Sequence, residues 1–272
     1  MPDRAYFTTT LPYVNADPHL GFALELVEAD AAARLTRLAG REVFFNTGTD
    51  EHGLKIYRAA ATAGLAPQAY ADRAAAKFRT LLSALNIWPE VNFLRTTDPG
   101  HIAAAQEFWR RVTAAGDIYK KKYPLKYCVG CELEKTDSEL AAGHCPLHPN
   151  QALEIIKEEN YFFRFSKYQK RLLELYESRP EFVVPASRLN EAREFIRRGL
   201  ADFSISRLAS KQPWGISVPD DPSQTIYVWF DALVNYISAI GWPDDKQNFK
   251  KWWPVTQFAG KDNLRQQAAM WP

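Results

Sequence analysis

An α/β fold built on a parallel sheet, interrupted by a cysteine-bearing insertion, follows from three features of the sequence. Strand-like and helix-like runs alternate over the first 115 residues, a pattern that demands parallel pairing. A Lys-, Tyr- and Cys-rich stretch around residues 120–148 breaks the alternation, and apolar strand-like runs return at Thr225–Phe230 and Val255–Ala259.

Residues 5–10, rich in aromatic and β-branched types, predict a first strand ended by Leu11-Pro12. From Leu20 to Ala39, the apolar residues Leu20, Leu24, Val27, Ala31, Leu35 and Leu38 recur at three- and four-residue steps. Gly40 stands where a helix C-cap glycine belongs, so this segment is a helix with that stripe as its apolar face. Glu25, Glu28 and Asp30 precede Arg34 and Arg37, the charge order a helix dipole favours, so the helix N-terminus faces the loop at 12–19. A second strand is expected from Glu42 to Asn46, with helical pattern resuming at Leu54, then a strand at Asn92–Thr96 and a helix from His101 to Ala115. Helical periodicity returns near Tyr168–Glu177 and Leu189–Leu200, and the runs at 225–230 and 255–259 are expected to re-enter the sheet. The chain divides into residues 1–115, an insertion at 116–222 whose knuckle spans about 123–152, and residues 223–272.

The 272 residues are 46% hydrophobic, enough for a sizeable core. With 34 Lys+Arg against 32 Asp+Glu the formal charge is +2, too balanced for a domain that binds nucleic acid by bulk charge, so any RNA contact is local. There is no apolar run of about 18 residues or more, and the start of the chain lacks the pattern of a secretory leader; the expected setting is the cytoplasm, with no membrane contact. An odd number of cysteines, three, argues for metal binding or chemistry rather than a closed disulfide framework.

All three lie in the insertion. Cys128-Val129-Gly130-Cys131 is followed, after 13 residues, by Cys145-Pro146-Leu147-His148. Two paired turns offering four soft or borderline donors suit one tetrahedral Zn²⁺ bound by Cys128, Cys131, Cys145 and His148, and four protein ligands close the site, making the metal structural. His144 is a rival fourth ligand, although its adjacency to Cys145 makes joint chelation awkward. The loop Leu11-Pro12-Tyr13-Val14-Asn15-Ala16-Asp17-Pro18-His19-Leu20-Gly21-Phe22 lies between the first strand and the first helix, where open α/β sheets bind ligands and a helix N-terminus attracts phosphate.

His19-Leu20-Gly21-Phe22 resembles the His-x-Gly-His signature of class I aminoacyl-tRNA synthetases. Leu11–Asn15, Thr47–Gly53, Glu159–Arg164, Asp202–Arg207, Tyr227–Ala232 and Phe258–Asp262 resemble, in order, blocks of the methionyl-tRNA synthetase family, whose connective insertion carries such a knuckle. The resemblance implies a Rossmann-like catalytic domain that activates methionine with ATP and Mg²⁺ and transfers it to tRNA(Met). It implies that Leu11, Tyr13, Trp229, Ala232 and Tyr236 line a methionine pocket and that Asp50 holds the α-ammonium. His19 and Gly21 are implied at the ATP phosphates and adenine side, and Gly260 and Asp262 at the ribose. Asp50 and Trp229 are expected to converge because both follow strands of one parallel sheet.

The chain departs from the family's pattern at Phe22, where the signature has its second histidine, and at Gln266 and Gln267, where the family has an aromatic residue and a histidine. The family's Lys-Met-Ser-Lys-Ser signature is expected beyond Pro272, so the chain reads as a fragment. Its rivals are another class I synthetase, or a non-catalytic zinc module that binds tRNA. The short knuckle insertion and the aromatic Trp229–Tyr236 block favour methionine over the first.

Overall fold

The computed structural model describes residues 3–135 and 139–272; Met1 and Pro2 at the chain start, and residues 136–138 within the knuckle segment, lie outside the described residues. Strand β1 (Arg4–Thr8) feeds helix α1 (Leu20–Leu38), then β2 (Glu42–Thr49), α2 (Leu54–Thr62), α3 (Pro67–Ala84), β3 (Asn92–Arg95) and α4 (Pro99–Ala114). The insertion follows as β4 (Ile118–Cys128), β5 (Leu133–Glu134) and β6 (Glu154–Phe163), with α5 (Gln169–Ser178), α6 (Ala186–Arg197) and β7 (Phe203–Ser204). Then come β8 (Ser206–Leu208), β9 (Ser217–Val218), β10 (Asp221–Ile226), α7 (Val228–Ala232), α8 (Asn235–Ser238), α9 (Lys246–Trp252) and β11 (Val255–Gln257).

The parallel sheet has the order β11-β1-β2-β3, with Tyr6 opposite Phe44 on one side and Val255 on the other. The expected parallel architecture and the return of the chain at 255 therefore hold. The run at 225–230 does not return to this sheet. Its first half is β10, antiparallel to β8 and β9 in a separate three-stranded sheet, and from Val228 the backbone turns helical. Aromatic and β-branched content indicated a strand, but it could not name the partner, and Trp229 accordingly follows no strand of the parallel sheet.

The first helix forms where expected, and Gly40 follows it with φ +79, the left-handed conformation that a C-terminal glycine accepts without strain. Its face is the reverse of the expected one. Leu20 and Leu38 are 88% and 86% exposed, and Leu24, Val27 and Leu35 also face solvent. The buried stripe is Phe22, Leu26, Ala29 and Ala33, which packs with Phe7, Phe45 and Phe78 in the principal core. Glu25 and Asp30 sit on the same stripe and escape as acceptors: Asp30 takes the Trp88 N–H at 2.9 Å and Arg34 Nε at 2.6 Å. Two carboxylates on the inner face hid it from a hydrophobic count.

The insertion opens with a long hairpin of β4 and β6 whose far end carries the knuckle. Tyr127 packs with Leu54 and Val129, so the knuckle end rests on the start of α2. Among the described residues, no helix is long and apolar enough to cross a membrane.

The inverted face of α1 is testable by chemical denaturation. Leu26→Ala is expected to cost about 2–5 kcal/mol, as for other fully buried leucines. Leu35→Ser is expected to stay within about 0.5 kcal/mol of the parent; equal losses at the two positions would refute the assignment.

Candidate functional site

The carboxyl ends of β1 and β2 meet at a layer of buried threonines. Thr9 Oγ1 lies 2.7 Å from Thr47 Oγ1, and the Thr9 N–H reaches Asn46 O at 3.2 Å. Past this layer the two loops continue side by side: Asp50 N donates to Pro12 O at 2.9 Å, and Val14 N donates to Asp50 O at 3.1 Å. Tyr13 is thereby registered against Asp50. Glu25 fastens the same end from inside α1. Its Oε1 accepts from the Thr10 N–H and hydroxyl, both at 2.6 Å, and its Oε2 accepts from Gly260 N at 2.8 Å. Gly260 follows β11, so one buried carboxylate joins three segments of the sheet's upper edge.

His19 caps α1 from an exposed position, its Nδ1 accepting the Phe22 N–H at 3.3 Å. Gly21 lies beside it, with the His19 ring about as close as a side chain there would permit. The two stand at the helix N-terminus facing the loop, where free N–H groups and the helix dipole favour an anion. Phe22 points the other way, into the core, with its ring 5.7 Å from Phe78; it supports the helix and has no access to the loop's ligand side. Asp262 is exposed in a short turn after Gly260.

Two buried aspartates stand near one another with opposite electrostatics. Asp231 faces His52 Nδ1 at 2.7 Å through Oδ2 and His101 Nε2 at 2.8 Å through Oδ1, and His101 Nδ1 pairs with Ser238 Oγ at 3.0 Å. Burial opposes its ionisation, but attraction and hydrogen bonding from the two histidines outweigh this and hold the carboxyl below its ordinary value. Asp50, 4% exposed, takes a hydrogen bond from the His52 backbone N–H, and its Oδ1 has no partner among the described residues. Burial, and then the charges of Asp231 and Glu132, push its pKa well above the ordinary value. An unpartnered buried carboxylate costs stability unless a cation meets it.

Trp229, Ala232 and Tyr236 are carried on α7 and α8, and the fork at Asp231 brings that unit against the loop holding Asp50. Ala232 and Tyr236 are buried, and the Tyr236 ring lies 5.5 Å from Trp271. Trp229 is half-buried and borders an apolar cavity of about 330 Å³ with Phe108, Phe230, Leu233 and Trp271. Leu11, Tyr13 and Asp50 are absent from that cavity's wall, so it is not the space in which the charged groups converge. Gln266 and Gln267 are buried, and each leaves its Oε1 unpartnered.

In the insertion, the Sγ atoms of Cys128, Cys131 and Cys145 and a ring nitrogen of His148 all lie within 4.8 Å of one another. Bond lengths of about 2.3 Å to sulfur and 2.0–2.1 Å to nitrogen imply tetrahedral edges of roughly 3.6–3.8 Å around a zinc-sized ion. The observed Cys131–His148, Cys131–Cys145, Cys128–His148 and Cys145–His148 separations are 3.2, 3.4, 3.7 and 3.9 Å, close enough for small side-chain shifts to close the shell. The donor set thus fits a small tetrahedral cation. A side chain at residue 130 would collide with the His148 ring, so Gly130 is what admits the fourth ligand. His144 is exposed, its backbone paired with Ala141 across a tight turn, and it stands outside the cluster.

The sequence matches the family profile described as tRNA synthetases class I (M) over residues 5–153 and 148–272, nearly the whole chain. The chain belongs to that family. It is 49% identical over 271 residues to a methionine–tRNA ligase of Synechocystis, covering 97% of this chain and 50% of that protein. It is 44% identical to one of Thermotoga maritima, covering 99% of this chain and 43% of that protein. The methionyl-tRNA synthetase of Mycobacterium tuberculosis, solved in complex with methionyl-adenylate, superposes with a TM-score of 0.93 at 42% identity, covering 99% of this chain and 53% of that one. Against the apo form of the same enzyme the TM-score is 0.83. The chain therefore spans about half the length of the curated relatives it matches.

For this class I synthetase chain, the structure brings Leu11, Tyr13 and Asp50 together, joins α7 and α8 to them through Asp231, and gathers the four knuckle residues. It leaves Asp262 at the surface. Sequence reasoning missed Glu25, Glu132 and the Asp231 fork. His52 and Asp231 lay within recognised blocks, but buried polar pairing between distant residues has no periodicity to announce it.

Asp50 yields a pH-dependent prediction. Its folded pKa lies above its ordinary 3.8, so between these values the folded state holds a proton that the unfolded state has released, and stability falls as pH rises through that window. Asp50→Asn is expected to raise stability at pH 7.5 by on the order of 1–3 kcal/mol and to change it little at pH 4, measured by urea unfolding at the two pH values. A variant no more stable than the parent at pH 7.5 would show that Asp50 already has a partner.

Proposed function

We propose that this chain supplies the methionine-activating part of a methionine–tRNA ligase: the carboxylate of methionine attacks the α-phosphorus of ATP, pyrophosphate leaves, and the methionyl group then passes to tRNA(Met). The observation that carries the reading is Asp50, a buried carboxylate with an unpartnered oxygen beside Tyr13 at the carboxyl end of the sheet. The α-ammonium of an amino acid is the cation such a group lacks, and a charge-assisted contact there fixes the end at which chemistry occurs. The high structural similarity to a relative solved with methionyl-adenylate supports the same assignment.

In this reading Leu11, Tyr13, Trp229, Ala232 and Tyr236 surround the thioether, whose sulfur needs apolar contact more than hydrogen bonds. His19 and Gly21 take the phosphates and adenine side, and Gly260 and Asp262 the ribose. Mg²⁺ arrives with ATP and offsets charge on the departing pyrophosphate. The chain's residues orient the reactants and stabilise phosphate charge, and no covalent nucleophile is required. The knuckle ion is Zn²⁺, held by Cys128, Cys131, Cys145 and His148 in a structural role. The division at 115/116 and 222/223 and a cytoplasmic setting belong to the same reading; the gathering of all three cysteines and His148 within 4.8 Å supports the knuckle ion.

Calorimetry with methionine and with a non-hydrolysable methionyl-adenylate analogue tests it. The chain should bind the analogue saturably, and Asp50→Ala and Trp229→Ala should each weaken binding at least about tenfold, the loss of one charge-assisted or aromatic contact. A parent chain that binds neither ligand would refute the reading. Elemental analysis should give one zinc per chain, lost in Cys128→Ser while the sheet remains folded by circular dichroism.

A further inference from the structure

The knuckle does not end at its ligands. Glu132 directly follows Cys131, and its φ of +50 is a left-handed conformation uncommon for a side chain of this size. From there its side chain enters the floor of the amino-acid site and is 4% exposed. Oε1 accepts the Lys55 backbone N–H, and the Glu132 carbonyl accepts the Tyr227 hydroxyl at 2.6 Å, one residue before α7. Lys55 Nζ returns the contact by donating to Gly130 O at 3.3 Å. Gly53, at φ +115, leaves the intervening space open: a Cβ there would stand 2.5 Å from both the Tyr13 hydroxyl and Glu132 Oε2.

We propose that Glu132 is a positioning residue through which metal binding at the knuckle sets the geometry of the amino-acid site, so that metal and amino-acid ligand bind with positive coupling. The inference rests on the functional reading above. Three observations point from the knuckle to a ligand rather than to packing alone. The Glu132 carboxylate meets the Tyr13 hydroxyl, which neighbours Asp50 across the two loops, and Asp50 Oδ1 is buried with no partner among the described residues, on three segments that meet at this spot. This knuckle residue touches both the first turn of α2, directly after the loop that carries Asp50, and the residue preceding α7, which carries Trp229. Its backbone is held by its neighbour Cys131, so the ion that draws Cys131 towards His148 and Cys145 also sets where the Glu132 side chain begins. Loss of the ion frees the turn at 128–132, and with it the floor of the site.

Coupling of this kind is reciprocal. The zinc-loaded chain should bind the methionyl-adenylate analogue at least tenfold more tightly than the chelator-treated chain. Saturating analogue should raise zinc affinity, measured by competition with a chromophoric chelator, by the same factor. In Glu132→Ala both factors should fall below about twofold while zinc stoichiometry is kept. Glu132→Gln, which retains an acceptor for the Lys55 N–H, should restore part of the coupling; a merely structural role would alter stability and leave the coupling intact. Should chelation unfold the chain, Co²⁺-loaded protein decides: the analogue should shift the cobalt d–d bands in the parent and leave them unmoved in Glu132→Ala. Binding that is indifferent to the metal, or coupling unchanged in Glu132→Ala, overturns this inference alone. No binding by the zinc-loaded parent overturns the functional reading and this inference with it.

Discussion

The site depends on Asp231. A carboxylate removed from water must be met on both oxygens or it will not stay ionised, and Asp231 is met by His52 from the loop after β2 and by His101 from the first turn of α4. Three segments distant in sequence are thereby held at hydrogen-bond distance, and α7 is delivered to the sheet although its preceding strand belongs to another sheet. Asp50, close enough to feel the charge of Asp231, receives less: the His52 backbone N–H meets its carboxylate, and Oδ1 has no partner among the described residues. One aspartate is satisfied by the fold on both oxygens and the other on one. Environments that push the pKa values of neighbouring carboxyls apart are a general mark of divided roles.

Glu25 plays the corresponding part at the end of β1. Burial pushes its pKa up, while donors from Thr10 and Gly260 draw it back. It links α1 to the end of β1 and to the loop after β11, so the helix is fixed relative to the strands at its side. A buried carboxylate with every oxygen partnered is worth more as a specifier of geometry than as a source of stability.

Much of this was legible in the sequence, and the failures share one cause. Helix α1, the parallel sheet and the Cys128–Cys131–Cys145–His148 cluster rest on periodicity or spacing, which a linear sequence displays. The face of α1 was misjudged because Glu25 and Asp30 break the stripe that is buried, while Leu20, Leu24, Leu35 and Leu38 complete one that is not. Periodicity detects a helix; it does not detect a polar residue that will be partnered by a backbone N–H from elsewhere. The strand at 225–230 was half right for a related reason: Tyr227 and Trp229 have strand-like character, but the Asp231 fork requires a helical turn there. Glu132 was invisible altogether, since its meaning lies in a contact with Lys55 and Tyr227, 77 and 95 residues away.

That contact lies at the far end of the long hairpin that opens the insertion. β4 extends for eleven residues, roughly 35 Å at about 3.3 Å per residue, from the end of α4 to the mouth of the sheet. A loop of equal length would pay more conformational entropy to reach the same point and would arrive without a fixed orientation. Pairing with β6 stiffens the reach, the packing of Tyr127 on Leu54 seats its end, and the knuckle then needs only a short turn to project one side chain inward. The sheet supplies loops at its carboxyl edge, the Asp231 fork holds α7 against them, and the end of the hairpin reaches α2 and the residue before α7, so three structural units meet at buried polar contacts.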